Sequence, residues 1–258
     1  ENPHGVPHPH SSSAGTMIGT RSPRIVWITG ASSGIGKALV ELFVTEGEIV
    51  VATARSRGSL NSLQRSLAGA PGECFPLVCD VRTERSVRSA VQRITARFKR
   101  VDVLLNNAGV TVFKDFAQTS VKEFDHVIET NLRGAFLATK CVLPGMLRRK
   151  SGMIVNIQSF AAKTIYTGSS VYSASKSGGV ALMDCLRAEV RSKGIKVLNV
   201  YPGATLTPMW SSAQQKTYAK VMMAPAEVAR KVYEATRLSE SMMIEELVLR
   251  PQIGDLNV

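Results

Sequence analysis

Short apolar runs alternate with longer amphipathic stretches along most of this chain. The runs are Ile25–Ile28, Ile49–Ala52, Phe75–Val78, Val101–Leu105, Met153–Ile157 and Ile195–Val200. Their mainly apolar, β-branched-rich character predicts strands buried on both faces rather than one. Between them, apolar residues recur at helical spacing, as in Val87, Val91, Ile94 and Phe98. Strand and helix in alternation predict an α/β fold: a single doubly wound parallel sheet with right-handed crossovers and helices on both faces. Pro76 cannot donate to a ladder, so the third strand is expected at an edge or a bulge.

Two helical segments carry further signals. Residues 121–149 hold Asn131 near their middle, and Pro144-Gly145 is expected to bend or break the second half. Residues 170–193 place Tyr172 and Lys176 on the first turns, followed by the small residues Gly178, Gly179 and Ala181. Such small residues suit close contact either with the sheet or with a second copy of the helix in a homodimer or homotetramer.

Composition narrows the classes. A chain of 258 residues with 44% hydrophobic content can bury a sizeable core. It contains no apolar run long enough to cross a bilayer and no basic-then-apolar secretory start, so a soluble, cytoplasmic protein is expected. Residues 1–22 are rich in Pro, Ser and Gly and read as a disordered leader ahead of one domain over 23–258, with Met17 as a native start. His4, His8 and His10 in that leader bind metal weakly at most, and no metal centre is expected. Cys74, Cys79, Cys141 and Cys185 form no CxxC pair and read as buried, reduced thiols. The formal charge of +12 is scattered. Arg82, Arg85, Arg88, Arg93 and Arg97 read as a solvated helix face, so a nucleic-acid partner is not expected and a phosphorylated cofactor or acidic partner is.

The first strand runs into Thr29-Gly30-Ala31-Ser32-Ser33-Gly34-Ile35-Gly36, and a helical stretch follows. Glycines there permit a tight turn and close backbone approach, while the helix N-terminus offers amides to a pyrophosphate. After the second strand stands Arg55, with no acid to accept from a free ribose 2′-hydroxyl. A guanidinium at that point suits a 2′-phosphate, so NADP(H) is preferred over NAD(H). Tyr172 and Lys176 are four apart and share a helix face. At about 5 Å and an effective dielectric near 20, the ammonium would lower the phenol pKa by roughly two units.

These motifs, with Asp80-Val81, Asn106-Asn107-Ala108-Gly109, Asn131, Ser159 and Pro202-Gly203-xxx-Thr207, occur in one order and spacing. In this they resemble the short-chain dehydrogenase/reductase family from Arg24 onward. The resemblance implies a Rossmann domain and a carbonyl/alcohol oxidoreductase. It implies that Tyr172 exchanges the proton, Ser159 orients the carbonyl oxygen, Lys176 binds the nicotinamide ribose and Asn131 holds a water through a local helix break. Cofactor contacts implied are Gly30, Ser32, Ser33, Gly34, Ile35, Gly36, Arg55, Asp80, Val81, Asn107, Ala108, Gly109, Tyr172, Lys176, Pro202, Gly203 and Thr207. Bland alternatives exist: Asp80 can cap the helix starting near Thr83, and Asn107 can pin neighbouring strands.

The substrate is expected among Thr111–Phe113, Phe160–Tyr166 and a loop over 206–224 that includes Met222 and Met223. Ser159, Phe160, Tyr166, Tyr172, Met209 and Trp210 are the contacts expected there, making an apolar pocket for a flat or lipid-like carbonyl compound. Residues 202–210, 221–223 and 245–255 resemble bacterial sepiapterin-reductase-like members, which suggests a pteridine or small diketone. The alternative is a 3-oxoacyl-carrier-protein reductase, with Lys150 and Lys193 docking an acidic acyl carrier protein. A non-catalytic NADP(H) sensor or scaffold is a third reading, weakened by the intact Tyr172, Lys176, Ser159 and Asn131.

Overall fold

The computed structural model describes residues 22–256, and the leader histidines and Met17 lie outside them. Seven strands form one parallel sheet: β1 (Ile25–Thr29), β2 (Ile49–Ala54), β3 (Glu73–Val78), β4 (Val103–Asn106), β5 (Gly152–Ile157), β6 (Ile195–Pro202) and β7 (Glu246–Leu249). Their spatial order is β3-β2-β1-β4-β5-β6-β7, all pairs parallel. The order reverses between β1 and β4, and that crevice at the strands' C-terminal ends is where such sheets hold ligands.

The described residues also form eight α-helices: α1 (Gly34–Thr45), α2 (Arg57–Ser66), α3 (Glu84–Phe98), α4 (Val121–Ile128), α5 (Gly134–Arg149), α6 (Ser170–Val190), α7 (Ser212–Tyr218) and α8 (Pro225–Ala235). One apolar core joins Leu39 and Phe43 of α1, Leu60 of α2 and Val232 of α8 to Val26 and Ile28. The other joins Ile94 of α3, Leu137 and Met146 of α5 and Met183 of α6 to Ile25 and Trp27. Adjacent β1 residues thus feed opposite cores, which is why that strand is apolar throughout. The buried Trp27 indole is not left wanting, since its N–H donates to Thr53 Oγ1 at 3.0 Å.

Pro76 lies on the edge strand β3, as its missing N–H requires. Glu73 and Cys79 both turn their amides toward β2, donating to the Glu48 and Ala54 carbonyls at 3.1 and 3.0 Å. Alternation then points the Pro76 nitrogen outward, so the ladder loses nothing.

Several expectations need correction. The long segment over 121–149 is interrupted at a π turn, Glu129–Arg133, and not at Pro144, through which α5 runs unbroken. Pro144 and Lys140, whose carbonyl would have been the lost acceptor, are both exposed, so water can replace the missing donor. Cys185 is exposed and Cys141 half-buried; Cys74 and Cys79 alone are buried, and all four are free. Arg85, Arg88, Arg93 and Arg97 do form the exposed face of α3, whereas Arg82 precedes the helix and turns inward. Among the described residues no helix is long and apolar enough to cross a membrane.

Candidate active site

The C-terminal ends of β1 through β6 open onto one cavity of about 720 Å³. Gly30 leaves β1 with φ +67°, and Gly34 enters α1 with φ +54°, both in the left-handed region that favours glycine. A side chain at Gly36 would put a Cβ 2.2 Å from the Gly30 carbonyl oxygen, so the loop closes only around a hydrogen. Asn107 fixes that loop: its Nδ2 donates to the Thr29 and Gly30 carbonyls at 2.9 and 3.1 Å. Thr29 Oγ1 in turn accepts from the amides of Asn107 and Ala108 at 3.0 and 3.1 Å. The strand-pinning role of Asn107 is therefore realised. No side chain caps α1 and no acid occupies its first turn, so its N-terminal field stays available to an anion.

Ser32, Ser33, Ile35, Ala108, Gly109 and Thr207 join the glycines along this wall. Beyond them, Arg55 follows β2, exposed, with Asp80 and Val81 after β3. The Asp80 carboxylate is gripped by Arg82, whose Nη2 donates at 2.7 Å and whose Nε donates at 3.0 Å. That guanidinium, helped by Arg82's amide and by Arg55, holds the Asp80 carboxyl below the usual range. Arg82 lines the cavity and escaped the sequence reading because it was grouped with the arginines of α3. Val81 is fixed by Gly134, where an added Cβ would lie 2.8 Å from Val81 Cγ2. On the far side, Pro202 and Gly203 border the cavity, and the Gly203 amide donates to Leu249 of β7 at 2.7 Å. The glycine cradle and the uncapped helix N-terminus together fit a dinucleotide.

Ser159 follows β5, and Tyr172 and Lys176 rise from the first turns of α6 into the same cavity. Tyr172 is 7% exposed and Lys176 5%. Burial pushes the phenol up, and a hydrogen bond with Ser159 pulls it back in part. Burial pushes the Lys176 ammonium down to about 8. The expected depression of Tyr172 by Lys176 is thus absent. Lys176 Nζ donates instead to the Ile157 carbonyl at 2.8 Å and lies 5.8 Å from the Tyr172 ring centroid.

Asn131 sits in the π turn and does not reach the cavity wall. Its Oδ1 accepts from the Val110 amide at 2.8 Å, and its Nδ2 donates to the Val110 carbonyl at 2.9 Å and to Ser175 Oγ at 3.0 Å. It ties the segment after β4 to α6, one residue before Lys176.

At the other end, Phe113, Phe160, Tyr166, Met209 and Trp210 line the cavity. Phe113 stacks on Trp210 and meets Tyr172 edge-on, with ring centroids 6.1 Å apart in both pairs. Met222 and Met223 are not there. A bridge between Thr205 and Met223 turns them back; Met222 is buried and Met223 packs on the α1–α8 core. Asp255 and Leu256, unassigned from sequence, border this end: Tyr166 Oη donates to Asp255 Oδ1 at 2.6 Å. The small residues of α6 face within the molecule in part, Gly179 against Gln158 and Gly178 against Leu132, while Ala181 is exposed.

Lys150 and Lys193 precede β5 and β6, at the sheet edge opposite the cavity. Both are exposed at helix ends, Lys150 in the left-handed region with φ +51°. Six residues of strand span roughly 17–20 Å, so these lysines stand about that far from this mouth.

A family model described as short chain dehydrogenase matches residues 24–217. The chain is 35% identical to a 3-oxoacyl-[acyl-carrier-protein] reductase of Thermotoga maritima, over 75% of this chain and 78% of that protein. It is 31% identical to a sepiapterin reductase of Chlorobaculum tepidum, over 90% of this chain and 98% of that one. Among solved structures, the closed form of a serine dehydrogenase complexed with NADP+ superposes with TM-score 0.84 at 28% identity, covering 91% of this chain and 97% of that one.

Proposed function

Since this chain belongs to the short-chain dehydrogenase family, we propose that it interconverts a carbonyl and a secondary alcohol with NADP(H), acting on a small, largely apolar carbonyl compound. The observation that carries this reading is that Tyr172 and Ser159 together line the aromatic end of the same cavity whose other end is the glycine cradle. Both hydroxyls can reach one carbonyl oxygen. When bound, the dinucleotide supplies or receives the hydride.

Tyr172 gives its proton to the carbonyl oxygen in reduction and recovers it in oxidation. Ser159 donates to the same oxygen and fixes its position. Lys176, one turn along α6 from Tyr172, would hold the ribose hydroxyls of the bound dinucleotide with the ammonium that donates to the Ile157 carbonyl. Phe113, Trp210 and Phe160 exclude water around the reacting carbon. Gly30 through Gly36 would hold the pyrophosphate, and Arg55 would pair with the 2′-phosphate. Relatives named for NADP and the NADP+ complex of a neighbouring structure support that choice. Reduction of 3-oxoacyl thioesters is the second reading, favoured by the identity to the Thermotoga enzyme.

One set of titrations tests the proposal. Tyr172→Phe is expected to cut turnover by at least about 100-fold while NADPH still binds, as followed by its fluorescence. Arg55→Ala is expected to weaken NADPH far more than NADH. Retained turnover in the first variant would sink the catalytic assignment; equal losses in the second would sink the phosphate role. Sepiapterin, diketones and 3-oxoacyl thioesters form the substrate panel.

A further inference from the structure

Charge is distributed unevenly along the cavity. Among its described lining residues, Arg55, Asp80 and Arg82 lie at the adenosine end and Lys176 stands behind Tyr172. The substrate end has one ionised side chain, Asp255, and no lysine, arginine or histidine.

Two neighbours hold that carboxylate in place. Tyr166 Oη donates to Oδ1 at 2.6 Å, and Arg250 Nη2 pairs with Oδ2 at 2.9 Å. Arg250 does not itself face the substrate: its guanidinium lies over the Phe160 ring, 4.2 Å from the centroid, and it borders a separate cavity. With its proton committed to Asp255, the Tyr166 phenol presents only a lone pair. Among the described residues, this end of the wall offers acceptors, aromatic faces and the neutral donors Ser159, Thr167, Trp210 and Gln214, with no cation of its own.

We propose that Asp255, fixed by Tyr166 and Arg250, is a specificity-determining residue that makes this cavity select uncharged carbonyl compounds bearing an N–H or O–H donor and reject carboxylates. The inference rests on the carbonyl-reduction reading above and deepens it. A carboxylate brought beside the exposed Asp255 meets like charge and finds no lysine, arginine or histidine among the described lining residues of this end to offset it. An amide or hydroxyl finds a preorganised acceptor instead.

The experiment compares three ketones of one shape: methyl 4-acetylbenzoate, 4-acetylbenzamide and 4-acetylbenzoate, each with NADPH at neutral pH. The amide and ester are expected to exceed the acid in kcat/KM by at least about tenfold. Asp255→Asn is expected to narrow that gap by about threefold or more, since it removes the charge and leaves Arg250 unpaired. L-Serine with NADP+ is expected to give no turnover. Acid at parity with the ester, or a gap unchanged in Asp255→Asn, overturns the inference and leaves carbonyl reduction standing. Failure of all three ketones and of the wider panel, with NADPH bound, overturns both. The wild-type comparison decides the matter even where the variant folds poorly.

Discussion

Lys176 is a cation kept where charge is costly: 5% exposed, with the Ile157 carbonyl as its acceptor. Its folded pKa of about 8 lies below the 10.5 of an exposed lysine. Between those values the unfolded chain holds more protons than the folded one, so stability rises with pH. Cys74, Cys79 and Cys141 set the upper limit, because burial raises each thiol and the unfolded thiols ionise first above about pH 9. From about pH 8 to about pH 9, Lys176 should add roughly 1 kcal/mol to the protein free of cofactor. Urea midpoints across that window are expected to climb in the wild type and flatten in Lys176→Met. The identities of Tyr172, Lys176 and Ser159 were readable from the chain, because spacing and order are sequence properties. Their electrostatics were not: helical spacing gives adjacency, but burial decides whether adjacency lowers a pKa, and here burial dominates. Arg82 and Asp255 were missed for a related reason, since an arginine beside a helix and an aspartate near the end of the chain look solvated until a fold brings them partners.

The π turn over Glu129–Arg133 shows what an interrupted helix can do that a regular one cannot. It aims the Asn131 amide sideways, where it satisfies both polar groups of Val110 and one hydroxyl of α6. Asn131→Ala would leave the half-buried N–H and C=O of Val110 without that partner, costing about 1–3 kcal/mol by urea denaturation and loosening the wall beside Lys176. The break at Asn131 was legible only by family resemblance, whereas Pro144, the local signal, left α5 intact. Strands β1 through β6 announced themselves by their apolar runs. β7 did not, because on an open edge Leu247 and Leu249 are half-buried while Glu246 and Val248 are exposed, and an alternation this short resembles a loop. Its pairing with β6 nonetheless positions Gly203 and sends the chain back toward Asp255.

Across the whole molecule, the parallel sheet separates two surfaces that the sequence could not tell apart. The cavity opens at the strands' C-terminal ends, and Lys150 and Lys193 stand at the other. Reversing both charges should leave kcat/KM for 3-oxoacyl thioesters and for neutral ketones within about twofold of wild type, since the separation exceeds a Debye length of about 8 Å. A large, selective loss on carrier-linked thioesters would place docking on that far face after all. The sheet itself ends at β3, where Pro76 turns its nitrogen outward between the flanking residues that hold β2. A strand arriving from another molecule would meet a missing donor at the middle of that edge, with Arg97 spread over Phe75 and paired to Glu73 beside it. Cross-strand polymerisation is thereby discouraged at the one border of β3 left without a neighbour, and a single imino acid contributes to colloidal solubility without touching the active site.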